Sequence, residues 1–127
     1  MNMTTKWEIV SRAQNRVKDI PSALGSPQIV EFTEDVAHFA ENITGQSIDL
    51  TDIGSQWHGV LTNGTCAQIL GYMNGVGVSY TAGRLTINKQ TELSGQEVQM
   101  KFLTDMVNAD LAAIGRPIRH DKTNPTD

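Results

Sequence analysis

The residues in this chain that could carry chemistry are three histidines, one cysteine and a glycine-rich stretch. His38, His58 and His120 fall on separate segments. None has a second histidine four residues away, so no metal centre is expected. The single Cys66 can form no internal disulfide and cannot supply a four-ligand zinc site. Within Thr65-Cys66-Ala67-Gln68-Ile69-Leu70 it reads as a small buried thiol. A nucleophile would need Cys66 or a serine beside a base, and no Gly-x-Ser-x-Gly elbow is present. Gly71-Tyr72-Met73-Asn74-Gly75-Val76-Gly77 superficially resembles a phosphate-cradling loop. Such loops follow a strand and open a helix, whereas this one closes a helix and opens a hairpin, which makes it a helix terminator. No catalytic residue, metal or cofactor is expected, and the chain does not read as an enzyme.

The elements that position these residues belong to one compact domain: 127 residues, 39% apolar and 6% aromatic. No run approaches the roughly 18 to 20 apolar residues of a membrane span, and the start, Met1 to Lys6, is polar, so neither a membrane protein nor a secretory signal is expected. The fold must rest on its apolar core, in a reducing compartment or inside an assembly.

Periodicity and caps predict four helices. The first runs from about Lys6 to Asp19, opened by the capping box Thr5-Lys6-Trp7-Glu8 and closed by Ile20-Pro21, with Trp7, Val10, Ala13 and Val17 on a narrow apolar stripe. The second opens at Ser26-Pro27, carries Ile29, Phe32 or Val36, Phe39, Ala40 and Ile43, and stops at Thr44-Gly45. A loop around residues 47–53 leads to the third, from about Ser55 to Asn74, with Trp57, Val60, Leu61, Cys66, Ala67, Ile69, Leu70 and Met73 directed inward. Its Gly59, Gly64 and Gly71 each cost about 1 kcal/mol against Ala and imply close approach of a neighbouring backbone. The fourth follows a second capping box, Ser94-Gly95-Gln96-Glu97, places Val98, Phe102, Leu103, Met106, Val107, Leu111 and Ile114 on a broad apolar face, and ends at Gly115 and Pro117.

Between the last two helices, Val76, Val78 and Tyr80 alternate against Leu85 and Ile87 across Thr81-Ala82-Gly83-Arg84, which predicts a hairpin at about 76–89. An isolated hairpin is marginal in water, so its own helices or another subunit must cover it. Residues 116–127 read as an extended tail. The expected fold is thus mainly α: a small four-helix bundle over 1–115, a long β-hairpin or extended loop between helices three and four, and an extended C-terminal tail.

The net charge of −4 is unevenly spread. Between Ile20 and Gly83 there is no Lys or Arg, while Glu31, Glu34, Asp35, Glu41, Asp49 and Asp52 give that zone a negative field. Arg116, Arg119 and Lys122, with His120, gather after the last apolar segment. Sequence-specific nucleic-acid binding needs a basic face and is not expected. An acidic surface does suit a protein that DNA must pass without sticking.

The helix ending Ile43-Thr44-Gly45, the acidic link Ile48-Asp49-Leu50, the helix holding Trp57 and Leu61-Thr62-Asn63-Gly64-Thr65-Cys66-Ala67, the Gly-Val hairpin and a last helix ending Ala112-Ala113-Ile114-Gly115-Arg116 together resemble the small head-to-tail connector (adaptor) proteins of tailed bacteriophages. The likeness spans about residues 25–120. The resemblance implies a structural virion protein of the head-tail neck, present in the host cytoplasm during assembly. Roughly a dozen copies would form a ring under the portal protein, extend the DNA channel and meet a downstream neck or tail protein. It also implies a subunit interface at the hairpin (Val76, Val78, Tyr80, Leu85, Ile87) and portal docking by Arg116, Arg119, His120 and Lys122. From another class stands a small cytosolic helical binding or regulatory module that offers an apolar groove between helices two, three and four to a peptide or partner helix.

Overall fold

The computed structural model describes residues 3–81, 83–89, 92, 93 and 95–123, with 116–123 described by their backbone alone. The chain is mainly helical: α1 (Lys6–Arg16), α2 (Ser26–Thr44), a 3-10 turn at Ser55–Trp57, α3 (His58–Asn74), strands β1 (Val78–Thr81) and β2 (Arg84–Ile87), and α4 (Gln96–Thr123).

α1 begins where the sequence places it, with the Glu8 carboxylate accepting the Thr5 N–H at 3.2 Å. It ends earlier than the predicted Asp19. Val17 is extended, and Asp19 sits at φ +61. The turn keeps Val17 buried beside Leu24 while the chain reverses before Pro21. Trp7 is not part of the inward stripe: it is half exposed, and the buried face is Ile9, Val10 and Ala13. α2 and α3 both stop on a left-handed glycine, Gly45 and Gly75.

α3 is the centre of the molecule. From Val60 to Ala67 every residue is buried, and the helix touches α1, α2 and α4. A helix buried on all sides must satisfy its polar side chains internally. Thr65 Oγ1 donates to the Leu61 carbonyl at 2.7 Å and so accepts from Thr33 Oγ1 of α2 at 2.8 Å. Asn63 Oδ1 accepts from Arg16 of α1 at 3.2 Å. Small residues let the neighbours close in. A Cβ on Gly64 would lie 2.7 Å from a Val36 methyl, and one on Gly71 would lie 2.6 Å from the Val76 carbonyl oxygen. Both glycines therefore serve contacts within this chain. Gly59 differs, because its Cβ would meet only an ordinary contact with Asp110 at 3.5 Å.

The hairpin pairs Val78 with Ile87, Ser79 with Thr86, Tyr80 with Leu85 and Thr81 with Arg84, with Gly83 at φ +74 in the link. The register puts Val78, Tyr80, Leu85 and Ile87 on one face. That face leans on the chain's own helices, since Leu85 and Ile87 are buried in the core and Val78 packs against it. Asn108 of α4 adds a lock that imitates a strand: its amide accepts the Leu85 N–H and donates to the Leu85 carbonyl, both at 2.9 Å.

α4 departs most from expectation. Its backbone stays helical through Gly115 and Pro117 to Thr123, so residues 116–123 are not the extended tail read from the sequence. Pro117 has no N–H to give the Ala113 carbonyl, and a proline at such an interior position crowds that carbonyl and costs a helix about 3 kcal/mol. Ser94 of the second capping box, Ala82 of the hairpin link and 124–127 of the tail lie outside the described residues.

Candidate functional site

Two of the chemistry-bearing residues, His58 and Cys66, are engaged by the fold, while His38 stands exposed on α2. His58 Nδ1 lies 3.3 Å from an Arg12 guanidinium nitrogen, which can only donate, so Nδ1 accepts. Its Nε2 is then the protonated nitrogen and donates to the Ile53 carbonyl at 3.1 Å. Both ring nitrogens of this imidazole are therefore engaged. Cys66 is buried, and burial pushes its thiol up to about 11 against a weaker downward pull from Arg16, which keeps it protonated and unreactive at neutral pH. Among the described residues there is no group of three or more His, Cys, Asp or Glu able to hold a metal ion. The Gly71–Gly77 stretch closes α3 and turns into the hairpin, with Val76 N–H on the Gly71 carbonyl at 2.9 Å and Asn88 N–H on the Gly77 carbonyl at 2.8 Å. No described helix is long and apolar enough to cross a membrane.

The predicted interface residues divide. Leu85 and Ile87 fill the chain's own core, and Val76 and Val78 pack against it. Tyr80, 37% exposed, is the most open of the five. Its ring lies 5.1 Å from that of Phe39 on α2, and its hydroxyl accepts a hydrogen bond from the Gln68 amide. Burial is the main reason its hydroxyl is pushed up to about 12. Between α2 and the hairpin opens a groove of about 570 Å³ lined by Asp35, His38, Phe39, Asn42, Ile43, Tyr80 and Gly83. Arg116, Arg119, His120 and Lys122 lie on the last turns of α4, and their side chains are outside the described residues.

A surface missed in the sequence reading lies on α4. The buried face of this helix is Met100, Leu103, Val107 and Leu111, whereas Val98, Phe102 and Met106 are 54%, 62% and 36% exposed. At about 100° per residue the exposed three form a ridge on the side opposite the core face. The signal was the adjacent pairs Phe102-Leu103 and Met106-Val107: alternating around both sides, they make an apolar arc too wide for one core. Lys101 flanks the ridge, paired with Asp105 at 2.7 Å in an exposed bridge.

The acidic zone is less uniform than its sequence suggests, because α1 brings cations to it. Lys6 pairs with Glu34 at 2.7 Å. Glu41 is used internally, accepting the Ile48 N–H at 2.7 Å, and Asp49 accepts from Thr51, which lowers its carboxyl's pKa. Glu31, Asp35 and Asp52 remain exposed, with Asp35 at the groove.

The molecule thus presents a core-filled helical body, an exposed apolar ridge on α4 and an acid-edged groove between α2 and the hairpin. Compared with protein-family models, curated proteins and solved structures, the chain matches none of them.

Proposed function

We propose that this chain is a structural adaptor of the phage head-tail neck, a small helical bundle that forms a ring of roughly a dozen copies beneath the portal and carries the DNA channel toward the tail. The observation that carries the reading is the ridge of Val98, Phe102 and Met106, apolar surface turned away from a core that α4 already completes with its other face. Monomeric proteins scatter exposed apolar residues singly, whereas an aligned set on one helix marks a contact surface. His58 and Cys66 are engaged within the fold, which is compatible with a role in assembly. The basic end of α4 supplies the segment proposed to dock into the portal, now as a helix. The exposed acids Glu31, Asp35 and Asp52 suit a surface past which DNA slides, because like charge discourages phosphate adsorption.

The test is to mix the purified chain with portal complex and examine the product by electron microscopy and mass. A stoichiometric ring on the portal is expected, and a portal left bare ends the adaptor reading.

A second reading, a binding module for a peptide or partner helix, is favoured by the α2–hairpin groove. The groove sequence reading located between helices two, three and four is filled by Val36, Val60, Leu61 and Val107. A chain that captures a peptide in the α2–hairpin groove and neither self-associates nor meets a portal would mark this alternative.

A further inference from the structure

We infer that the α4 ridge of one copy seats, head to tail, in the α2–hairpin groove of a second copy of this chain. The inference rests on the ring reading above and names the two surfaces that make each joint.

The two features are complementary in shape. Val98, Phe102 and Met106 recur once per helical turn, a convex line about 12 Å long at 1.5 Å per residue. The groove is concave, about 570 Å³, with buried Phe39 deepest and the half-exposed Ile43 and Tyr80 nearer the surface. An aromatic knob such as Phe102, the most exposed large apolar side chain of the described residues, matches an aromatic-lined hollow.

They are also complementary in charge. Among the described residues the groove is lined by Asp35 and by no Lys or Arg. The ridge carries Lys101, whose bridge to Asp105 is half exposed and contributes little, so its ammonium can turn to Asp35 of a second copy. Beyond the ridge the same helix carries Arg116, Arg119 and Lys122 against Asp110 and Asp121. Ridge and groove are different surfaces, so the contact is heterologous, the kind that builds closed rings; an α4-to-α4 contact would instead stop at a two-fold pair.

That difference makes the test decisive. The full-length chain is followed by analytical ultracentrifugation as wild type, as Phe102→Asp and as Ile43→Asp. Both positions are exposed, and unchanged melting confirms the fold; should either variant lose its transition, Phe102→Gln or Ile43→Gln takes its place. Wild type is expected to self-associate, and each variant alone to do so roughly tenfold or more weakly. An equimolar mixture of the two variants should recover a one-to-one pair and nothing larger, since one retains the groove and the other the ridge. A mixture that stays monomeric, a variant that associates as wild type does, or a wild type still monomeric at about 1 mM overturns the inference. Self-association through both surfaces by a chain that ignores the portal leaves this contact standing and removes the adaptor reading.

Discussion

At the scale of single residues, the fold depends on side chains that are small or fully paired. Gly64 lets α2 approach α3 until Val36 methyls would stand 2.7 and 2.8 Å from an added Cβ. Gly64→Ala is expected to lower stability by about 1 to 3 kcal/mol through overpacking, read from urea denaturation midpoints. The same change made in a Val36→Ala background should cost less, because the opposing methyls are gone. Equal costs in the two backgrounds would show that the glycine matters for the backbone and not for this contact.

At the scale of elements, the hairpin is anchored by buried Leu85 and Ile87 and tied to α4 by one amide. Asn108 supplies both halves of a pairing with Leu85 that a third strand would otherwise provide. Replacing it with Leu leaves a main-chain donor and acceptor without that partner, at about 1 to 3 kcal/mol. Hydrogen exchange should show the Leu85 amide opening faster while amides of α3 keep their protection. Uniform loss of protection would mean that the hairpin and the helices open as one unit. α4 is the other telling element, since its inner face completes the core while Val98, Phe102 and Met106 stay exposed among the described residues.

For the whole molecule, the question is how far α4 must extend. Among the described residues the last buried position on it is Leu111, with Ile114 packed against the core. Deleting 116–127 should therefore leave the melting temperature nearly unchanged and reduce the helical circular-dichroism signal only by the turns removed. Under the adaptor proposal, retention on the portal should fall, because the basic helix end is gone. An unfolded truncation product would assign the last turns to the core.

Much of this architecture was legible from residue order. The four helices, their glycine stops at Gly45 and Gly75, the capping box at Thr5 and the hairpin follow from local chemistry, because caps, turns and period act over a few residues. The burial of Cys66 was equally readable. What tertiary structure alone decided is which of two apolar faces each element turns inward. Phe102 and Leu103 are equally apolar and one position apart, and only the packing of α3 against α4 selects Leu103 and leaves Phe102 outside. The hairpin's cover, the cations that α1 lends to the acidic zone and the groove beside Tyr80 have the same origin. Each depends on contacts between residues far apart in the chain, and local pattern carries no record of them.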